Sequence, residues 1–128
     1  MSLLLDTCTV LWLARGDAQV SARQRSAIAA EADVWVSAAS AWEIAIKHAM
    51  GRLPLPVAVN QFVRELRERY QFKSLPIDEE SALLVAKLPP LHRDPFDRIL
   101  VSQAIVNGLA IVTPDPAVID YPVRTMWL

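Results

Sequence analysis

Short apolar runs alternate with helical segments along the chain, and this alternation constrains the fold more than any other feature. Segments of three to six residues with strand character recur between longer segments that carry helical spacing and helix-capping residues. Helices that alternate with short strands are typical of a parallel sheet covered by helices on both faces. The sequence therefore predicts a three-layer α/β/α sandwich with a mostly parallel central sheet of about five strands. The predicted strands are 3–5, 34–36, 72–77, 109–112 and 123–127.

Capping residues set the predicted helix ends. Ser21 and Gln24 have the spacing of a capping box, Asp78 is a predicted N-cap, and Asp94 precedes a proline at the first helical position. The segment 40–50 is apolar on nearly every side, so that helix is expected to be largely buried. The predicted helices are 7–14, 21–32, 40–50, 57–70, 78–88 and 94–107.

Composition favours one globular domain over residues 1–128. Hydrophobic residues make up 53% of the 128 residues, which is enough for a substantial core. The formal net charge of -1 argues against a protein that coats nucleic acid through bulk positive charge, although a local basic rim remains compatible with it. Cys8 is the only cysteine, so no internal disulfide is expected and a reducing, cytoplasmic location is predicted. No apolar run approaches the about 20 residues of a membrane span.

Four acidic residues stand where predicted strands give way to helices or loops: Asp6, Glu43, Asp97 and Asp115. Parallel strands end at one edge of a sheet, so these distant residues can meet there. Uncompensated carboxylates repel each other by about 1 to 4 kcal/mol per close pair. A hard divalent cation such as Mg²⁺ offsets that repulsion and prefers oxygen ligands. The sequence therefore predicts a metal site.

Each acid also has a purely structural explanation, because acids are favoured in the first turn of helices. Glu43 has two such explanations, a capping box or an ion pair one helical turn away. The structural alternatives are Asp6 as an N-cap, Glu43 boxed with Ser40 or paired with Lys47, Asp94 boxed with Asp97, and Asp115 as a turn residue.

Four segments carry a family resemblance across almost the whole chain: LLLDTCTVLWLA at 3–14, SAASAWEIAIKHAMGRLPLP at 37–56, LHRDPFDRILVSQA at 91–104 and IVTPDPAVIDY at 111–121. In these segments the chain resembles PIN-domain ribonucleases and, among them, the VapC toxins of bacterial toxin–antitoxin pairs. The resemblance implies that Asp6, Glu43 and Asp97 are the core acidic residues and that Asp115 is a more variable fourth.

The resemblance also implies supporting roles for neighbouring residues. Asp94 matches an acid just outside the core set, and Thr7 and Thr113 match hydroxyl residues that orient the acids or a bound water. Pro114 is a departure, since a basic or small residue is expected before Asp115. Arg98 follows Asp97 and is expected either to contact RNA phosphates or to hold a neighbouring acid in place. Phosphate contacts are also open to Lys47, Arg52 and Arg93.

The activity implied by the resemblance is metal-dependent hydrolysis of RNA phosphodiester bonds by an endoribonuclease. Asp6, Asp97 and Asp115 are the expected ligands of Mg²⁺ or Mn²⁺, and Glu43 binds through water or accepts the proton of the attacking water. The implied partners are the RNA substrate, a cognate VapB-like antitoxin whose C-terminal segment covers the active-site groove, and a second copy of the chain. A homodimer would then form a heterotetramer or a larger complex with the antitoxin.

Other readings of the same residues remain open. Asp6 could be the nucleophile of a haloacid-dehalogenase-like phosphatase, although the second acid of that motif is missing two residues later. The chain could instead be a non-catalytic binding domain whose acids only cap helices. A hydrolase dyad of Cys8 with His48 or His92 is disfavoured, because a lone cysteine here is expected to be a small buried hydrophobe. The four tryptophans are expected in core packing or interface contacts.

Overall fold

The computed structural model describes residues 1–127 and has a five-stranded sheet at its centre. The strand order is β3-β2-β1-β4-β5, and each of the four neighbouring pairs is parallel. The predicted class of fold is confirmed, and the sheet is wholly parallel where a mostly parallel one was expected. The strands are β1 (Ser2–Leu5), β2 (Asp33–Ser37), β3 (Lys73–Leu75), β4 (Ala110–Val112) and β5 (Thr125–Met126).

Seven α-helices within residues 1–127 connect and cover the strands. The predicted box of Ser21 and Gln24 is present, and the predicted helix 78–88 ends early and continues as a 3-10 turn at Val85–Lys87. A short helix after Asp115 was not predicted. The helices are α1 (Thr7–Arg15), α2 (Ala22–Ala30), α3 (Ala38–Ala49), α4 (Val59–Tyr70), α5 (Glu79–Leu84), α6 (Pro95–Asn107) and α7 (Pro116–Ile119).

The sheet separates two hydrophobic clusters, because successive side chains of a strand point to opposite faces. Leu3 and Leu5 of β1 pack in one cluster with residues of α1, α2, α3 and α4. Leu4 packs in the other with residues of α6 and α7. The central strand β1 is therefore covered on both faces of the sheet, which accounts for its continuously apolar sequence.

Helix α3 differs from its prediction in both position and burial. It begins at Ala38, capped by the Ser37 side chain, and not at Ser40. Its buried side consists of Ala39, Ser40, Glu43 and Ile44, whereas Trp42 is 58% exposed. The expectation of a largely buried helix is wrong because α3 lies at the carboxyl edge of the sheet, where only one of its faces meets the core.

A buried polar chain joins this edge to α6. The Ser37 hydroxyl, at the end of β2, donates to the Gln103 carbonyl oxygen at 2.6 Å, and the Gln103 amide donates to the Pro76 carbonyl at 3.1 Å. Ser37 and Gln103 are both fully buried, so these bonds satisfy groups that water does not reach. They fix α6, and with it Asp97 in its first turn, against the sheet. None of the helices in the described part of the chain is both long and apolar enough to cross a membrane.

Candidate metal centre

Asp6 lies at the junction of β1 and α1. Its Oδ1 accepts a hydrogen bond from the Thr9 backbone N–H at 2.8 Å, so the predicted N-cap is present. The residue is only 5% exposed. Burial raises the pKa of Asp6, hydrogen bonds from Thr113 and Thr9 oppose that rise, and the charge of Asp115 adds to it. Asp6 is thus a buried carboxylate with a second carboxylate nearby.

Asp115 stands beside Asp6 because β4 pairs with β1. Leu5 is opposite Val112 in the parallel register, which places Thr113 next to Asp6. The Asp115 N–H donates to the Thr113 hydroxyl oxygen at 3.0 Å, and Asp115 Oδ1 accepts from the Ala117 N–H at 2.9 Å. Asp115 is therefore the N-cap of α7, and Pro114 does not prevent it from lying beside Asp6.

Glu43 projects from the buried side of α3. Its Oε2 is 2.8 Å from Lys47 Nζ, so the pair one helical turn apart is present, and the hydrogen bond to Glu43 raises the pKa of Lys47. The alternative capping box with Ser40 is wrong because Ser40 lies inside α3. The Ser40 hydroxyl oxygen instead accepts from the Thr7 hydroxyl at 3.0 Å, which joins α1 to α3.

Asp97 occupies the first turn of α6. Its Oδ2 is 3.2 Å from His92 Nε2, and burial, followed by the charge of Asp94, raises the pKa of Asp97 from 3.8 to about 6. The hydrogen bond from His92 opposes this rise, and the charge of Glu43 adds to it. Asp94 is the N-cap of α6 and accepts from the Phe96 N–H at 2.9 Å. The predicted box between Asp94 and Asp97 is replaced by the contact with His92.

Cys8 lies close enough to Asp6, Glu43 and Asp97 for their charges to act on its thiol. Partial burial of its sulfur, followed by the charge of Asp6, raises the pKa of the Cys8 thiol to about 11, and Glu43 and Asp97 also raise it. The side chain is exposed, so the expectation of a buried cysteine is wrong. A thiol with this pKa is almost wholly protonated at neutral pH, and the rings of both histidines hydrogen-bond elsewhere. Neither the pKa of Cys8 nor the contacts of the histidine rings supports a cysteine dyad.

The four acids thus share one edge of the sheet as two pairs, Asp6 with Asp115 and Glu43 with Asp97. Their oxygen donors suit a hard divalent cation. Burial raises the pKa of both Asp6 and Asp97, and the charges of neighbouring carboxylates add to the rise. Within residues 1–127, however, no three acidic, histidine or cysteine side chains are arranged to hold one ion together. The donor chemistry fits a metal, and side-chain rotation is needed to bring both pairs onto it.

Arg98 does not hold a neighbouring acid. Its guanidinium donates to the Pro89 carbonyl at 2.9 Å, the Val85 carbonyl at 3.0 Å and the Tyr121 hydroxyl at 3.0 Å. These contacts use three of its five N–H donors, so the residue anchors the loop before α6. The side chain that does bond Asp97 is His92, which the sequence alone did not single out for this role.

Comparison with known proteins gives the family. The PIN domain family model matches residues 3–123. The chain belongs to the PIN domain family. The recognition of a PIN domain from the sequence is thereby confirmed, and PIN-domain nucleases are hydrolases that act on RNA and generally use divalent metal ions.

Solved toxin–antitoxin structures contain chains with the same fold. One chain of Rickettsia felis VapBC2 bound to a promoter DNA fragment has a TM-score of 0.76 at 12% identity, and 98% of each chain is covered. A chain of DNA-bound VapBC from Salmonella typhimurium gives 0.70 at 15% identity, with 98% and 97% covered. FitAcB from Neisseria gonorrhoeae gives 0.69 at 21% identity, with 97% and 96% covered. Among curated protein sequences, none matches this chain.

Proposed function

We propose that this PIN-domain protein is a metal-dependent endoribonuclease of the VapC type and the toxin of a type II toxin–antitoxin pair. The observation that carries the proposal is the acidic edge itself. Asp97, with a pKa near 6, lies among the charges of Asp94 and Glu43, and Asp6 lies beside Asp115. These carboxylates repel each other, and a cation bound at this edge would offset the repulsion.

Asp6, Asp97 and Asp115 are the proposed ligands. Hydrogen bonds already orient all three carboxylates: Asp6 accepts from Thr9 and Thr113, Asp97 from His92, and Asp115 from Ala117. The second oxygen of Asp97 and of Asp115 is left to turn toward an ion. Bound Mg²⁺ or Mn²⁺ would supply Lewis-acid stabilisation of the charge that develops on the phosphate oxygens.

Glu43 is the proposed proton acceptor for the attacking water. Its Oε2 is paired with Lys47, which orients the carboxylate, and the ammonium is 46% exposed and free to move toward solvent or a phosphate. The proton of the water passes to a Glu43 oxygen as the new bond to phosphorus forms and the bond to the leaving oxygen breaks. Thr7 and Thr113 orient the site, Thr7 through Ser40 and Thr113 through the Asp115 N–H.

The proposed protein partners are a VapB-like antitoxin and a second copy of the chain. The solved chains of similar fold come from VapBC and FitAB complexes, which supports the first. An exposed apolar groove supports the second: Trp42 packs edge-on against Phe96 at 5.2 Å beside the acidic edge. An apolar surface of this kind is typical of protein interfaces. The groove is lined by Trp42, Ile77, Ala82, Val85, Pro95, Phe96 and Ile99.

The test is cleavage of total bacterial RNA by the purified chain, freed of any partner, with and without Mg²⁺ or Mn²⁺, followed by sequencing of new ends. Asp6→Asn is the site variant. Asp78→Asn is the matched control, since Asp78 is also an N-cap, bonded to the Ser81 N–H at 2.7 Å, but is solvent-exposed. Discrete metal-dependent cuts by wild type and Asp78→Asn, absent from Asp6→Asn, are expected.

Two other outcomes would replace the proposal. An aspartyl-phosphate analogue formed with beryllofluoride at Asp6, without RNA cleavage, would favour the phosphatase alternative, although the family assignment speaks for a nuclease. A folded protein with neither cleavage nor a carboxylate-dependent thermal shift on adding Mg²⁺ or Mn²⁺ would favour a non-catalytic binding domain, because a metal site stabilises the native state by mass action.

A further inference from the structure

We propose that His92 is a positioning residue for Asp97 and that Arg98 and Tyr121 hold its imidazole in the Nε2–H tautomer. The role of His92 in catalysis rests on the proposed nuclease function. The assignment of its tautomer is independent of that function. Four contacts carry it. The hydroxyl oxygen of Tyr121 is 3.0 Å from Arg98 Nη1, 3.3 Å from the His92 backbone N and 2.9 Å from His92 Nδ1, and His92 Nε2 is 3.2 Å from Asp97 Oδ2.

The hydrogens in this chain can be assigned from the chemistry of each group. A guanidinium N–H and a backbone N–H only donate, so Arg98 and the His92 backbone fill the two lone pairs of the Tyr121 hydroxyl. The one hydrogen of that hydroxyl then points to His92 Nδ1, which must accept it. The ring proton of His92 therefore sits on Nε2 and is donated to the Asp97 carboxylate. A doubly protonated ring would place a third donor on an oxygen with two lone pairs.

The anchor of the chain is rigid. Tyr121 is 3% exposed, and its ring meets the His92 ring edge-on at 5.4 Å. Arg98 is fixed at the same time to the Pro89 and Val85 carbonyls. His92, Asp97 and Arg98, together with Tyr121, thus form one hydrogen-bonded unit across the loop that leads into α6.

A donor fixed on Oδ2 sets the direction of the Asp97 carboxylate and leaves Oδ1 available to a cation. Groups that hydrogen-bond a metal-binding side chain tune its orientation in this way, and their removal typically reduces metal affinity about 10- to 100-fold. Lys47, which is paired with Glu43, differs from His92 in charge. The Lys47 ammonium adds a full positive charge near the place where the cation would bind, whereas the neutral Nε2–H tautomer of His92 adds none.

The second histidine of the chain is an internal reference. His48 Nδ1 is 2.8 Å from the Leu53 carbonyl oxygen, which only accepts, so the His48 proton sits on Nδ1. The two histidines of the sequence are therefore expected to be opposite tautomers.

The first test is a long-range ¹H–¹⁵N spectrum of ¹⁵N-histidine-labelled, metal-free protein at about pH 8, above the ordinary histidine pKa. His48→Gln assigns the two rings. A protonated Nε2 in His92 and a protonated Nδ1 in His48 are expected, and Tyr121→Phe should shift His92 alone toward a mixture. A protonated Nδ1 in wild-type His92 would overturn the assignment, whether or not the protein cleaves RNA.

The second test measures Mn²⁺ affinity by calorimetry, together with the rate of RNA cleavage, in His92→Ala and His92→Gln. The glutamine amide can reach the place of Nε2–H and donate to Asp97. A loss of affinity of about 10-fold or more in His92→Ala, restored to within a few-fold by His92→Gln, is expected. Wild-type affinity in a folded His92→Ala protein would show that His92 does not position Asp97. Equal losses in both variants would assign His92 a packing role only.

Discussion

The two pairs of carboxylates at the acidic edge are held in different ways. Asp6 and Asp115 follow strands and accept backbone N–H groups of the helices that they cap. Glu43 and Asp97 project from helices and are held by the basic side chains of Lys47 and His92. The first pair therefore stabilises the fold by capping helices and also belongs to the candidate site. The second pair accepts no capping hydrogen bond from the helix backbone, so less of its placement is explained by folding alone.

The largest expected effect is on cleavage by Asp97→Asn. The substitution removes a charged ligand while leaving the size of the side chain unchanged. Several kcal/mol of transition-state stabilisation are attributed to a bound metal, and each 1.36 kcal/mol is a factor of ten, so a loss of about 1000-fold in the initial rate is expected. A rate within ten-fold of wild type, measured on the RNA target found with the wild-type protein, would remove Asp97 from the site.

The same substitution should stabilise the metal-free fold. The pKa of Asp97 is raised from 3.8 to about 6, so the folded state binds this proton more tightly than the unfolded state. That stabilisation is complete below about pH 4 and is lost as the pH rises through about 6. At about pH 7.5 the free energy of unfolding of Asp97→Asn should exceed that of wild type by about 2 to 3 kcal/mol, at 1.36 kcal/mol per pKa unit.

Urea denaturation at several pH values in chelator checks this sign. The difference between Asp97→Asn and wild type should vanish below about pH 3, where Asp97 is protonated in both the folded and the unfolded state. Asp6, whose pKa is also raised, is present in both proteins, so its contribution cancels in the difference. A variant that is less stable than wild type at neutral pH would mean that burial and neighbouring charges do not destabilise the Asp97 carboxylate in the folded state.

The pair that follows strands was the more predictable one from sequence. The positions of Asp6 and Asp115 depend on where β1 and β4 end and on parallel pairing, both of which follow from local apolar runs. The start of α3 was missed because Ser37 and Ser40 are equally good caps by residue type, and the end of β2 at Ser37 decides between them. Local pattern carries no information about that choice.

The partners of the helix-borne acids were only half predictable. Lys47 follows Glu43 by one helical turn, a spacing that sequence shows directly. His92 reaches Asp97 from an irregular loop and is oriented by Tyr121, 29 residues away, so its role depends on tertiary packing. The one indication in the sequence was that His92 lies five residues before Asp97, within a segment that carries the family resemblance.

A smaller effect separates the two pairs by the size of the stability difference between an asparagine and an alanine variant. At Asp6, asparagine keeps an acceptor for the Thr9 N–H and alanine does not, so Asp6→Asn should be more stable than Asp6→Ala by about 1 kcal/mol. At Asp97, asparagine keeps an acceptor for the His92 Nε2–H, whereas alanine has the better helix propensity by up to about 0.7 kcal/mol. These two effects oppose each other, so Asp97→Asn and Asp97→Ala should differ less than the two Asp6 variants do. Denaturation of the four variants at one pH measures both differences. A difference at Asp97 as large as that at Asp6 would contradict the division into capping and non-capping acids.

The smallest effect concerns Lys47. Its ammonium is 46% exposed, and exposed pairs one helical turn apart contribute about 0.3 to 0.5 kcal/mol, so Lys47→Gln should lower the free energy of unfolding of the metal-free protein by no more than that. The effect on metal binding should be opposite, because the substitution removes a positive charge beside the site that the cation would occupy. Thermal shift against Mg²⁺ concentration should therefore give a larger stabilisation in Lys47→Gln than in wild type. A smaller one would mean that Lys47 keeps Glu43 in its binding orientation, as His92 is proposed to do for Asp97, and the two helix-borne acids would then share one mode of support.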